Sequence, residues 1–207
     1  MKKIFVFGDS ISHGVWDDEM GGWVSRLRLF LMSKSTADNW IETYELGVNG
    51  DIAEKVLNRL EFEAYQRAMP EDGSIFLVNI GINDSVFFKS QETNLVSPEE
   101  FRENLQYIIA LIKKNSWQMA FVGLTPVNEK MINEPGISYE NNYIEKYDGI
   151  IKSVCERNEL LFIDIFNEFR KDNYQNLLDE DGLHPNANGH QKIFEIVRDA
   201  LIKSSLI

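Results

Sequence analysis

The sequence predicts an α/β fold, a mostly parallel five-stranded sheet covered by helices on both faces, and three observations predict it. Short apolar runs alternate with longer stretches of helical periodicity along the whole chain. The runs are mostly rich in β-branched or aromatic residues and are apolar at successive positions, as strands buried on both faces are. No composition shift, internal repeat or long linker divides the 207 residues, so residues 1–207 are expected to form one domain around one core.

Each element has its own warrant. The first run, "KIFVFG", holds Ile4 to Phe7 in continuous apolar sequence and stops at Gly8-Asp9-Ser10. "WVSRLRLFLMSKS" follows as a helix with Leu27, Phe30 and Leu31 on one face. "IETYELGV" is the second strand, and "DIAEKVLNRLEFEAYQRAM" the next helix, with Ile52, Val56, Leu60 and Ala64 at four-residue spacing. After the third strand, "SIFLVNIG", the segment "SPEEFRENLQYIIALIKKN" opens with an N-cap serine, a proline at the first helical position and acidic residues in the first turn. "QMAFVGLTP" and "ELLFIDIF" are the last two strands. Between them "SYENNYIEKYDGIIKSVCERN" sets Ile144, Ile151 and Cys155 on one helical face. "NANGHQKIFEIVRDALIKSS" closes the chain as a helix facing inward through Ile193, Val197, Ala200 and Leu201. Right-handed crossovers between such strands favour a three-layer α/β/α sandwich of flavodoxin-like arrangement. Two stretches, 85–97 and 126–139, are less regular. Both follow strands, which places them at the carboxyl edge of the sheet, where such folds bind ligands.

Charge and cysteine content narrow the function. With 21 basic and 33 acidic residues the net charge is 21 − 33 = −12, which opposes nucleic acid and anionic membranes as partners. Cys155 is the sole cysteine, so neither an intrachain disulfide nor a thiolate metal cluster can form. It reads as a buried, inert thiol. The apolar run after Met1-Lys2-Lys3 is shorter than a signal-peptide core, and none reaches membrane length, so a cytoplasmic location is expected.

The unusual polar residues all follow strands. Gly8-Asp9-Ser10 ends the first, "GVNGD" the second and "GINDS" the third, while "DEDGLHPN" lies beyond the fifth. A common rim would collect them. Ser10 there has two readings, helix cap or nucleophile. Serine attacks only when a base takes its proton, and a histidine base needs a carboxylate to fix its tautomer and support the imidazolium. Asp181 and His184, three residues apart on one turn, can meet locally. The Ser10 and Gly50 N–H groups and the Asn83 amide are candidate donors to a developing oxyanion. Together they make a complete acyl-transfer apparatus.

"FGDSIS", "NG", "GIND" and "DGLHPN", in this order over this α/β pattern, resemble the SGNH (GDSL-type) hydrolases. The resemblance runs from Gly8 to His184 and places the family's four signature residues on Ser10, Gly50, Asn83 and His184, with the triad aspartate on Asp181. Ile11 stands where the family name expects leucine. The family's flavodoxin-like sandwich agrees with the fold read from the pattern. The resemblance implies esterase, lipase, lysophospholipase, thioesterase or carbohydrate deacetylase activity, with no cofactor. The expected substrate is a small ester with a short acyl or acetyl group. An acyl thioesterase or lysophospholipase is the enzymatic alternative, and a non-catalytic small-ligand-binding protein the other.

The remaining residues carry plainer expectations. Asp9 and Asp84 read as turn supports through side-chain hydrogen bonds. A metal site made from Asp9, Asp84, Asp181 and His184 lacks a compact motif and leaves Ser10 unexplained, so no metal is expected. His190 reads as a structural helix residue and His13 as an exposed loop histidine. Trp16 and Trp23 are expected to pack under their loop, and "DDE" at 17–19 to form a solvated charged turn. Phe87, Phe88, Val127 and Met131, on the two irregular stretches, are candidate lining of the substrate pocket.

Overall fold

The computed structural model describes residues 1–68, 73–132, 134–171 and 173–207. Along the chain run β1 (Lys2–Gly8), α1 (Ser10–His13), α2 (Gly22–Lys34), β2 (Ile41–Gly47), α3 (Ala53–Tyr65) and β3 (Gly73–Asn79). Then come β4 (Phe87–Phe88), β5 (Thr93–Asn94), α4 (Pro98–Lys114), β6 (Gln118–Val122), β7 (Ile137–Ser138) and α5 (Asn141–Asn158). The chain ends with β8 (Leu161–Ile163), α6 (Phe166–Arg170), a 3₁₀ turn at Tyr174–Leu177 and α7 (Ala187–Lys203).

Five of these strands form the central sheet in the order β2-β1-β3-β6-β8, every neighbouring pair parallel. The chain steps one way from β1 to β2, then crosses back over β1 to β3. The reversal therefore falls between β1 and β3, and a ligand crevice opens at the carboxyl ends of the strands beside such a switch point. Right-handed crossovers put α2 on one face, where it packs on α7, and α3, α4 and α5 side by side on the other. The core is continuous from layer to layer. Ile4, Phe5, Val6, Phe7, Ile75, Phe76, Leu77 and Val78 have no exposure at all, which is why both strands read as unbroken apolar runs.

Local signals behave as their chemistry requires. Ser97 caps α4 by accepting the Glu100 N–H at 3.2 Å, Pro98 occupies the first turn, and Lys113 and Lys114 sit at the negative end of the helix dipole. Cys155 is buried with Ile144 and Ile151, and burial pushes its thiol up to about 12. Among the described residues no helix is long and apolar enough to cross a membrane.

Three features differ from the sequence expectation. The two irregular stretches pair with each other: β4 is the middle strand of a small antiparallel sheet, β5-β4-β7, with Phe87 opposite Asn94 on one side and Ser138 on the other. Asn133, within the second stretch, lies outside the described residues, as does Met69 at the end of the expected second helical segment. The fifth strand stops at Ile163 rather than running to Phe166, because Asp164 Oδ1 captures the Asn167 N–H at 3.0 Å and starts α6. The "DDE" turn is not solvated throughout. Asp17 is buried, paired with Arg26 at 2.9 Å and accepting N–H bonds from Glu19, Met20 and Gly22.

Candidate active site

Ser10 begins α1 directly after β1, but it does not cap the helix. Asp9 does, its carboxylate accepting the Ile11 N–H at 2.9 Å. The Ser10 hydroxyl is thereby left for other use, and its Oγ lies 2.8 Å from His184 Nε2. The two residues are 174 positions apart. What brings His184 there is a tight turn between the 3₁₀ turn and α7. Leu178 bridges to Pro185, and the Asp179 N–H donates to the His184 carbonyl at 2.8 Å. Asn186 then caps α7 through Gly189 N–H.

Asp181 sits inside that turn. Its Oδ1 accepts the Leu183 and His184 N–H groups at 2.8 and 2.9 Å, and its Oδ2 lies 2.6 Å from His184 Nδ1. Partial burial alone would raise its pKa. The bonds from the His184 ring and from the two backbone N–H groups outweigh this and hold the carboxyl well below the usual range. With Nδ1–H donated to Asp181, Nε2 presents a lone pair toward Ser10. Ser10, His184 and Asp181 thus form one hydrogen-bonded series on the rim beside the β1/β3 reversal.

The neighbouring segments supply donors. Gly50 has φ +74°, and a Cβ there would meet nothing within 4 Å, so the left-handed turn rather than crowding calls for glycine. Asn83, nearly buried in the turn after β3, donates Nδ2–H to the Asp51 carbonyl at 2.9 Å and accepts the Tyr139 hydroxyl on Oδ1 at 3.3 Å. Among the described residues the second amide N–H has no partner. Asp84 is fully buried, and both its oxygens accept the Ala53 N–H, at 3.0 and 3.2 Å. Ile52, the residue in the cap position of α3, offers no side-chain bond, so Asp84 caps that helix from another segment. The turn carrying Asn83 is thereby tied to the loop carrying Gly50. Burial pushes both Asp9 and Asp84 up to about 7.

The other candidates separate clearly. His13 is exposed, 3.5 Å from Glu45. His190 is fully buried, its Nδ1 accepting the Trp23 N–H and its Nε2 donating to the Val15 carbonyl, and burial lowers its pKa. Trp23 is buried, but Trp16 is 56% exposed and donates Nε1–H to Asp181 Oδ2 at 2.8 Å, so it does not pack under its loop. Of the four expected lining residues, Val127 is a correction. It has no exposure and belongs to the core, its N–H and carbonyl both bonded to the Asn141 amide. Phe87 and Phe88 are half-buried in β4, with the Phe87 ring stacked 4.8 Å from Tyr143. Met131 is exposed and lies against Gly182, in the turn that carries Asp181. Beside β7 a cleft of about 240 Å³ is lined by Ile132, Ile137, Tyr139 and the charged Lys89, Glu129 and Glu140.

Sequence reasoning missed three contributors: Trp16, Tyr139 and Arg59. Arg59 donates to the Gly8 and Leu46 carbonyls at 3.2 and 2.7 Å and to Asp51 Oδ2 at 2.9 Å, binding the ends of β1 and β2 to the Gly50 loop. Its position three residues after Val56 on the inward face of α3 was the available signal.

Fold and site together define a three-layer α/β enzyme of the acyl-hydrolase class. The chain belongs to the GDSL-like lipase/acylhydrolase family, whose model matches residues 6–192, and it is a carboxylic ester hydrolase. No curated protein matches it. Among solved structures it is similar to a lipase/acylhydrolase from Enterococcus faecalis, with 20% identity over 97% of this chain and 95% of that one, at a TM-score of 0.77. It is also similar to LAE5, an α/β hydrolase from the metagenome of Lake Arreo, with 20% identity over 96% and 94% of the two chains and a TM-score of 0.74. The acetylxylan esterase Axe2 of Geobacillus stearothermophilus shares 19% identity over 97% and 94%, at a TM-score of 0.73. At these identities the likeness is one of fold.

Proposed function

We propose that the enzyme hydrolyses short-chain acyl or acetyl esters through a serine-bound acyl intermediate. Ser10 Oγ attacks the ester carbonyl while His184 Nε2 takes its proton. The oxyanion that forms is met by the Ser10 and Gly50 N–H groups and by the free Asn83 Nδ2–H. As it collapses, the C–O bond to the alcohol breaks and His184 returns the proton to the leaving alkoxide. Water then enters and gives a proton to His184, its oxygen attacks the acyl carbon, and Ser10 leaves with that proton as the carboxylic acid is released. Asp181 stays ionised throughout and supports the imidazolium.

The observation that carries this reading is the series of 2.8 and 2.6 Å contacts from Ser10 through His184 to Asp181. The short acyl length is our reading from ordinary pocket volumes, and the modest, partly charged cleft beside Tyr139, whose hydroxyl reaches Asn83, is compatible with it. The fold shared with acetylxylan esterases brings acetylated sugars into the range of alcohols to test. A fluorophosphonate probe should label the protein, and Ser10→Ala should abolish both labelling and turnover with the fold intact. Hydrolysis of p-nitrophenyl esters should peak between two and about six acyl carbons. Wild-type turnover by Ser10→Ala would end the nucleophile assignment, and a long-chain optimum would end the assignment of acyl size.

A further inference from the structure

Trp16 is an odd residue for a surface turn. It is 56% exposed, so burial of its ring does not explain it. Its backbone stands at φ +67°, a left-handed conformation that is costly for a bulky side chain and persists only where the surroundings impose it.

The surroundings do impose it, from both sides. Val15, immediately before, donates its N–H to the Ser10 carbonyl at 3.1 Å and accepts His190 Nε2–H at 3.1 Å. Asp17, immediately after, is 5% exposed and accepts three backbone N–H groups of its own loop together with two Arg26 N–H groups. Arg26 in turn reaches the Ala187 carbonyl and Gln191 Oε1. His190, Ala187 and Gln191 all lie on α7, which starts three residues after His184. A buried histidine and a buried ion pair therefore fix the Trp16 turn to the same helix that fixes the His184 turn.

The product of that construction is one hydrogen bond. Trp16 Nε1–H donates to Asp181 Oδ2 at 2.8 Å, on the same oxygen that faces His184 Nδ1 at 2.6 Å. Asp181 Oδ1 already has two backbone donors, whereas among the described residues Oδ2 would otherwise have the imidazole alone, on a side chain 34% exposed to water. We propose that Trp16 is a positioning residue for the hydrolytic reaction: its indole N–H completes the donor set of Asp181 and holds Oδ2 in line with His184 Nδ1. The inference rests on the triad reading above and deepens it.

Two consequences follow from the chemistry. An indole donor keeps the carboxylate from swinging toward solvent, which preserves the tautomer and aim of the imidazole. It also shares the negative charge of Oδ2, so the carboxylate pulls less strongly on the proton that His184 gains in the reaction. Among the described residues Asp9 and His190 act electrostatically on His184, and Asp17 and Arg26 on His190, with Asp18, Glu19, Asp179 and Glu180 flanking in sequence; a change at residue 16 alone alters none of these side chains.

Trp16→Phe keeps a ring and removes the donor. Hydrogen bonds to a charged group are worth enough that kcat should fall about tenfold, with KM nearly unchanged. The acid limb of the kcat/KM profile should move to higher pH, because a carboxylate relieved of one donor favours the imidazolium more. A β-(3-benzothienyl)alanine at position 16, nearly isosteric with tryptophan but with sulfur in place of N–H, should give the same two changes and decides the matter if the phenylalanine variant does not fold. In the unmodified enzyme, the ¹⁵N–¹H indole resonance of Trp16 should shift across that same acid limb. Wild-type kcat with an unmoved limb in either folded variant overturns the proposal, as does a loss confined to KM or an indole resonance that does not titrate. Ser10→Ala is measured in parallel. Retained activity there removes the triad itself, while lost activity there with an unaffected Trp16→Phe removes only the role of Trp16.

Discussion

Tyr139 donates its hydroxyl to Asn83 Oδ1 across 56 positions of sequence, while Asn83 Nδ2 is fixed on the Asp51 carbonyl. The amide is thus held at both ends and cannot flip its oxygen toward the serine without losing two bonds. Burial pushes the Tyr139 phenol up to about 12, so it remains a donor over any ordinary working range. Asn83→Ala should lower kcat by about 10²–10³ with little change in KM, as expected of a donor that binds charge present mainly in the transition state. Tyr139→Phe should show the same pattern at roughly one tenth of the rate, from a single neutral hydrogen bond. Steady-state kinetics on both variants check this. An effect on KM alone would make Asn83 an ordinary substrate-binding residue.

Asp181 and His184 can be tested as a pair through pH. Removing the carboxylate charge by Asp181→Asn withdraws support from the imidazolium, so the acid limb of kcat/KM should move to lower pH while the rate falls severely. Stability moves separately. A carboxyl held below its usual pKa contributes stability that is complete above the unfolded value of about 3.9 and is lost as pH falls through the native one. Wild type should therefore lose more of its Tm than Asp181→Asn on acidification below about pH 4. Rate profiles and thermal unfolding on the same samples separate the two effects. Near-normal activity with an unmoved limb would leave a Ser10–His184 dyad.

Asp148 gives the opposite sign. It lies on α5, is 6% exposed and accepts the Leu124 N–H at 2.8 Å. Burial pushes its carboxyl up to about 7. A group with a raised native pKa gives its full contribution below the unfolded value of about 3.9, and that contribution is lost as pH rises through about 7. Asp148→Asn keeps an oxygen for Leu124 and cannot ionise. It should raise Tm at pH 8 by about 2–4 °C for each 1 kcal/mol recovered, and leave it unchanged or lower at pH 5. An equal change at both pH values would mean that Asp148 is not buried as a titrating acid.

The contrast among these residues shows what sequence patterning carries. Five parallel strands and five long helices were legible because burial repeats along each element, as with Ile4 to Phe7 or Val56, Leu60 and Ala64, although Ile52, the first of that expected stripe, is only partly buried in the cap position of α3. Ser10 was legible as a candidate because it closely follows the first strand, and Asp181 and His184 because a spacing of three on one turn lets a carboxylate and an imidazole meet locally. β4, β5 and β7 were not, since two-residue strands have no period to detect and Phe87 finds Ser138 only after the chain has returned. Asp17 looked solvated because its string is acidic, and its burial depends on an arginine nine residues on and on α7 at the other end of the chain. Val127 looked like pocket lining because it stands in a loop, but the Asn141 amide satisfies its backbone and lets it join the core.

The turn bearing Asp181 provides a final prediction, resting on two glycines. Gly182 has φ +73°, and a Cβ there would fall 2.7 Å from Met131 Cβ and 2.8 Å from the Asn128 carbonyl oxygen. The latter is backbone and cannot swing aside, and the Asn128 N–H is itself bonded to the Gly182 carbonyl at 2.8 Å. Gly149, within α5, is different: its added Cβ would meet nothing within 4 Å, and its φ is not positive. Gly149→Ala should therefore stabilise the protein by up to about 1 kcal/mol, by lowering the entropy of the unfolded chain in a helix interior. Gly182→Ala must move either the 127–132 loop or the Asp181–His184 turn. Left-handed strain and overpacking together should cost about 2–4 kcal/mol, with kcat falling as His184 shifts from Ser10. Displacements of about 1 Å at a reacting group are enough to cost roughly 10²-fold in rate. Denaturant unfolding and kcat on the two variants supply the comparison. A Gly182→Ala enzyme with wild-type stability and rate would show that the 127–132 loop yields freely, and that the turn holding Asp181 and His184 does not depend on it.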